Sequence, residues 1–497
     1  MLYWFSELKY ILIKGTAIEI LKTFTGKEIS EFSDFLDSPF HNTNRSVVKL
    51  FELLKKHHPH FDNKKITKEE IFGKIYPGKA YNEQTMKSVL FNLAHLAERY
   101  LLYISFDNYD FEKSTVLLRE FAKRKVEKLY FKKLEEAEKI LGEYSAFEVD
   151  FFENKRILET IKADYLIDRK DMYSFEGELS KRNDYVVLAF LRKLFLCMQD
   201  IQIQNYEVNL NLKDSLAEEA FRNISIEKIL AKIRDSENPW LFVIELKYNE
   251  LLAMMNLDIE SYIRYKNVVM HNINMFSWAE KHLVLGVMSS ICIMGLNKGV
   301  NEFSAELLDV CKKRLDENCY AFSPEEYTNI QGFFNLLTEF IENNEHEYFG
   351  RLMKEFGKRL NPEYKESVIN FAYMKKKFQE KKFEEALAYN SKIDYNHSLL
   401  KFSARILLLK VYFELGFTEE LLGLLDSSQK FFSGVTHYSE KNLARYLNLI
   451  SYLKKLVLHK EAGDIEKIET LKKQILQQDN INAKDWLLEK IDEVLAG

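Results

Sequence analysis

Two short stretches of this 497-residue chain carry side chains that could do chemistry. The first is Gly73-Lys74-Ile75-Tyr76-Pro77-Gly78-Lys79-Ala80, close to the spacing of a phosphate-binding loop. Its last position is Ala80, without the hydroxyl that would reach Mg²⁺, and Pro77 removes an N–H that a phosphate cradle needs. A phosphate loop follows a buried strand, whereas this stretch follows the amphipathic helix pattern KEEIFGKI. It reads as a turn that ends a helix. The second stretch is His57-His58-Pro59-His60, with His41 upstream. His-x-His spacing suits a strand, and no cysteine or carboxylate is placed to complete a tetrahedral site. These histidines read as a solvated helix end, where they complement the helix dipole. His346-Glu347 in HEYFG lacks the second histidine of a zinc-protease helix, and no Gly-x-Ser-x-Gly elbow occurs. Scattered Asp and Glu define no acid/base couple without geometry. The sequence therefore assigns no catalytic, cofactor-binding or metal residue, and an enzyme on a helical scaffold is the weakest of the functional expectations.

The elements that would position any site are helices. Glycine is 17 and proline 6, both below the usual shares of about 7 % and 5 %. Sandwiches, barrels and doubly wound folds spend those residues at corners and tight turns, so an all-α chain with short connections is expected. The 46 % hydrophobic and 30 % charged shares and a net charge of −5 exclude a disordered or collagen-like chain. The 37 Phe and 27 Tyr are expected to fill the core. Cys197 and Cys292 lie in apolar helical stretches, and Cys311 and Cys319 lack metal-ligand spacing. So few cysteines without a disulfide framework suit a reducing compartment. The N-terminal stretch is broken by Glu7, Lys9, Lys14 and Glu19 and offers no signal-peptide core. The longest uncharged apolar run, Leu283 to Leu296, falls short of the roughly 20 residues a membrane span takes. A cytoplasmic protein away from membranes is expected.

Helix starts are marked along the chain. Thr25-Gly26-Lys27-Glu28 and Thr67-Lys68-Glu69-Glu70 have capping-box spacing. Ser323-Pro324-Glu325-Glu326, Asn238-Pro239 and Asn361-Pro362-Glu363 read as starts with Pro in the first turn. In 82–101, Met86, Val89, Leu90, Leu93, Leu96, Ala97 and Leu101 fall on one helical face. The segment 201–212 alternates at strand spacing and reads as a long inter-helix connection. These marks predict a small N-terminal helical module within 1–105, an exit linker at 103–110, and successive helical hairpins over 111–497. The hairpins end in a capping helix at 483–495.

In 404–426, Ala404 precedes Leu407-Leu408, Tyr412 follows four residues after Leu408, and Gly416 and Leu421 come next. Upstream, KKFEEALAYNSKI places Phe383 and Ala386 at a turn-aromatic and a small-residue position, and Ala386 to Leu421 is 35 residues. This pattern resembles the tetratricopeptide repeat, whose period is about 34 residues. The resemblance covers about 375–430, without the proline that usually follows the second helix. It implies an irregular TPR-like α-solenoid in which Ala386, Tyr412, Gly416 and Leu421 are structural. FSDFLDSPFHNTNRSVVKLFELL (32–54), with 65–102, resembles the start of a helical protein family common in Bacteroidetes bacteria, which implies no activity.

Two binding functions are expected from this reading. The first is a non-enzymatic scaffold that takes a protein or peptide partner in the solenoid groove. The alternative is a nucleic-acid-binding regulator, because 66–102 reads helix-turn-helix and 41–80 carries nine basic against four acidic side chains. Lys55, Lys56, Lys64, Lys65, Lys79 and Lys87 would meet phosphates. Against it, Glu83 and Glu98 share the face of the would-be recognition helix, and no β-wing follows. The run 124–139 reads as an exposed helix laced with its own i,i+4 pairs.

Overall fold

The computed structural model describes residues 15–61, 67–207, 215–235, 241–395, 397–433, 440–478 and 480–496. Among the described residues there are 24 α-helices and no strand. The chain divides into two compact units, Met1–Ser145 with Glu153–Tyr185, and Ala146–Phe152 with Val186–Gly497. The expected module 1–105 lies inside the first unit, which also takes in 111–145 and 153–185.

In the first unit, α1 (Thr16–Thr23), α2 (Gly26–Asp37), α3 (Arg45–Lys55), α4 (Lys68–Ile75) and α5 (Glu83–Phe106) share one core. Leu21, Phe32, Phe51, Leu54, Met86, Leu93 and Ala97 lie at its centre. The Thr25 capping box is complete: the Thr25 hydroxyl accepts from Glu28 N at 3.2 Å, and Thr25 N donates back to Glu28. At Thr67 only the first half forms, Glu70 N donating to its hydroxyl. The α5 face is the expected one, with Met86, Val89, Leu93, Leu96 and Ala97 buried. The linker is shorter than expected: residues 103–106 continue α5, and α6 (Asp110–Lys123) begins after three residues. α6 and α7 (Glu127–Glu143) form a hairpin that turns at Lys125, whose φ is +58°. They share a second core with α8 (Phe151–Arg169), centred on Phe111, Leu118, Leu141, Leu158 and the stacked rings of Tyr130 and Tyr165. α7 keeps its charges outward and buries Tyr130, Ala137 and Leu141.

α9 (Met172–Glu207) corrects the expected connection at 201–207, which is helical. Apolar residues two apart at Ile201 and Ile203 do not outweigh the continuous i→i−4 ladder that the preceding turns extend. Positions 208–212 and Asn238-Pro239 lie outside the described residues.

The second unit continues with α10 (Leu216–Asn223), α11 (Ile226–Arg234), α12 (Phe242–Asn256), α13 (Ile259–Asn272), α14 (Trp278–Asn297), α15 (Phe303–Asp316), α16 (Ile330–Glu342) and α17 (His346–Glu355). Then come α18 (Lys365–Gln379), α19 (Phe383–Asn390), α20 (Ser398–Leu415), α21 (Thr418–Ser433), α22 (Glu440–Glu461), α23 (Ile465–Leu476) and α24 (Lys484–Ala496). Each helix of the pairs α12/α13, α14/α15, α16/α17, α18/α19, α20/α21 and α22/α23 packs on its chain neighbour. α16 also meets α18, α18 meets α20, and α22 meets α24. α20 serves two cores. Leu400, Ala404, Leu407 and Val411 belong to the core shared with α12–α19, and Phe402, Ile406 and Leu409 to the core shared with α21–α24.

Ser323-Pro324 is a second correction, because it starts no helix. Residues 323–326 form a turn, and α16 begins only at Ile330, capped by Asn329 accepting from Gly332 N at 3.0 Å. Tertiary bonds hold the loop out of helix. The Pro324 carbonyl accepts from Tyr320 Oη and Arg359 Nη1, each at 3.0 Å, and Thr328 N donates to Arg359 O at 2.8 Å. At Asn361-Pro362 a turn leads into α18, which begins at Lys365.

α14 is the one helix among the described residues long and apolar enough to cross a membrane. Val284, Leu285, Met288, Ile291 and Cys292 on it belong to the larger core. It meets α15 at closest approach through Gly295, where a methyl group would overlap the fully buried Phe303 ring. Gly295→Ala is expected to lower stability by about 1–3 kcal/mol, the usual cost of overpacking. Urea unfolding monitored by circular dichroism checks this, and an unchanged midpoint would contradict the close packing described.

Candidate ligand-binding groove

The first helices of successive hairpins in the second unit line a cavity of about 470 Å³. α16 contributes Phe334, Thr338 and Glu342; α18 contributes Phe371, Lys375, Phe378 and Gln379. α20 adds Ser403, Ile406, Leu407 and Lys410, α22 adds Tyr446, and one end is closed by Asn482, Ala483, Asp485 and Trp486. The helical period explains the layout. Phe334, Thr338 and Glu342 are four apart, as are Phe371, Lys375 and Gln379, so each set forms one strip of its helix.

Two ammonium groups stand among these aromatic and polar side chains. Lys375 Nζ donates to Thr338 Oγ1 at 2.7 Å and pairs with Glu342 at 3.3 Å. Burial lowers its pKa, and Glu342 opposes that. Lys410 Nζ lies 5.2 Å from the centre of the Trp486 ring and 6.0 Å from that of Phe378. Burial, and then the neighbouring Lys375 charge, push the Lys410 pKa down to about 8. Glu339, also on α16, is pushed up to about 7, by burial first and by Glu342 second. Trp486 is held in place by its indole N–H, which donates to Glu414 Oε1 at 3.0 Å. Lys490 completes that contact at 3.1 Å from the same carboxylate.

None of the four residues to which the repeat resemblance gave structural roles lines this groove. Ala386 is fully buried on α19. Gly416 ends α20 in the left-handed region, at φ +70°, and Phe417 N closes the turn on Tyr412 O at 3.0 Å. The Tyr412 side chain touches both cores, and Leu421 is buried in the second of them.

The lysines of the N-terminal module are on the surface but not all available. Lys55 pairs with Glu52 at 3.6 Å, and Lys87 pairs with Glu83 at 3.0 Å. Lys56 and Lys79 are exposed, the latter 5.6 Å from the Tyr76 ring centre. Lys64 and Lys65 lie outside the described residues. Residues 76–79 form a tight turn, with Lys79 N donating to Tyr76 O at 3.2 Å and Gly78 at φ +79°. The last turns of α4 precede it where a phosphate loop would have a strand. His58 Nε2 is bonded to Phe24 O at 2.7 Å. Among the described residues, no three His, Cys, Asp or Glu side chains are grouped to hold a metal ion.

Sequence reading missed Lys375 and Lys410, two unremarked lysines on long helices. The signal in the sequence is a spacing: they are 35 residues apart, the same step as Ala386 to Leu421. No protein-family model matches the chain, and no curated protein or solved structure is similar to it.

The Lys410 environment has a signed consequence for stability. Its folded pKa of about 8 lies below the value near 10.4 of an unfolded lysine. The folded chain therefore binds fewer protons in that window, and this group makes stability rise with pH from about 8 to about 10. Lys410→Met removes the effect. Urea midpoints of wild type and variant, compared at about pH 7 and about pH 10, should show the wild type gaining on the order of 2 kcal/mol relative to the variant. Parallel pH profiles would contradict the burial assigned to Lys410.

Proposed function

We propose that the chain is a non-enzymatic, TPR-like helical-repeat scaffold that holds a segment of a protein or peptide partner in the groove of the second unit. The observation that carries this reading is that α16, α18, α20 and α22 all contribute to one cavity. The starts of the first three, Ile330, Lys365 and Ser398, keep a step of about 34 residues. A single hairpin cannot bury its own apolar face, so hairpins stack, and the first helix of each faces a common groove. Its wall mixes aromatic side chains with polar ones, a composition that suits a protein-recognition surface. The four free cysteines support a cytoplasmic setting.

The groove is tested with a photo-crosslinking amino acid placed at Gln379, which is exposed on the wall, and at the exposed Glu384 on α19 as control. Discrete adducts are expected at Gln379 in cells, and their loss in the Trp486→Ala background. Equal adducts at both positions, or none at Gln379, would overturn the reading.

The second reading, a nucleic-acid contact on the N-terminal module, draws its support from the exposed Lys56, Lys74 and Lys79. It predicts fluorescence-anisotropy binding to duplex DNA or RNA that weakens steeply with salt, with a shallower slope after Lys56→Glu and Lys79→Glu. Absence of binding at low salt would remove it.

A further inference from the structure

A groove for a neutral segment has no use for an unmatched cation, and this one holds such a group. Among the described residues Lys410 forms no ion pair; its ammonium faces the rings of Trp486 and Phe378. The adjacent Lys375 already draws on Glu342 at 3.3 Å, and that carboxylate makes no ion pair with Lys410. The remaining charges toward Lys410 are Glu414 on its own helix and Glu489 on α24. Both are engaged by Lys490, at 3.1 and 3.4 Å. Asp485 also lines the cavity but makes no ion pair with either lysine. Removing a cation from water without a counter-charge is costly, and a bound anion offsets that cost.

We propose that the cavity is a binding site for a small organic anion with an aromatic body. Its acidic head lies between Lys410 and Lys375, and its ring system lies against Phe334, Phe371 and Trp486. The volume of about 470 Å³ falls within the roughly 300–1,000 Å³ of small-molecule sites. Glu342, whose side chain is 56 % exposed, can swing into water and leave Lys375 to the incoming anion. Planar rings match the aromatic wall, and the ammonium of Lys410 is already held over a ring face. This site goes beyond a docked partner segment and does not require one.

The test uses two fluorescent probes with nearly the same body. One is 8-anilinonaphthalene-1-sulfonate, which carries a fixed negative charge. The other is N-phenyl-1-naphthylamine, which carries none. Full-length protein is titrated with each, and energy transfer from tryptophan is compared in wild type and Trp486→Phe to locate the probe. The sulfonate is expected to bind at one site at least about tenfold more tightly than the neutral probe. Lys410→Met should erase that preference while leaving the neutral probe unaffected, and Lys410→Arg should restore it. Sulfonate affinity should also fall as pH rises through about 8, where Lys410 loses its proton. Circular dichroism and thermal melts of each variant establish that it is folded, and Lys375→Met gives a second route should Lys410→Met fail to fold. Equal affinity for both probes, a sulfonate affinity unchanged in the folded lysine variants, or no sulfonate binding would each overturn the proposal. None of these outcomes bears on the Gln379 crosslink, so the partner reading stands or falls separately.

Discussion

The second unit depends on one helix being apolar on two sides. α20 places Ala404 and Val411 in one core and Phe402 and Leu409 in the other, all with little or no exposure. A surface helix of a globular protein hides a single stripe and gives the rest to water. Here the stripes divide the helix between the hairpins before it and those after it. What remains is a narrow third strip, and that strip holds Ser403 and Lys410. The groove is thus the residue of a packing problem: where neither core claims the helix, its polar side chains meet those of α16 and α18 across a gap.

The electrostatics follow from that geometry. Lys410 stands on the strip between two cores, beside the Trp486 and Phe378 rings, and its charge is penalised first by burial. Lys375, 35 residues earlier on α18, packs toward α16 and finds Thr338 and Glu342 there. Lys410 looks across instead at Trp486, which Glu414 and Lys490 fix from behind. The difference between the two lysines is a difference in the neighbouring helix, not in their own.

Much of the helical punctuation was legible in the sequence because it is local. The Thr25 capping box, the Pro77-Gly78 turn and the Gly416 cap depend on residues within a few positions of one another, and each took the conformation its chemistry favours. Ser323-Pro324 was misread for the opposite reason. Its start signal is as good as any in the chain, but Arg359 and Tyr320 take its carbonyl, and those partners lie outside any local window. The alternation at Ile201 and Ile203 was likewise too short to compete with the turns of α9 behind it. The groove lysines carried no local mark at all. Charge at one position of a helix is ordinary, and only the stacking of α16, α18 and α20 turns two such positions into neighbours.

The short connections between paired helices bear on how the chain is made. Most helix contacts in the second unit are between chain neighbours or next neighbours, so the loops that must close are short and their entropic cost is small. Such a topology folds quickly and in pieces. During synthesis, α12 through α19 can bury most of their shared core while later segments are still being translated. The exception is α20, which must emerge before the first core is sealed and then waits with its second apolar face bare until α21 and α22 follow. An apolar helix face left uncovered during synthesis is the kind of surface through which nascent chains aggregate.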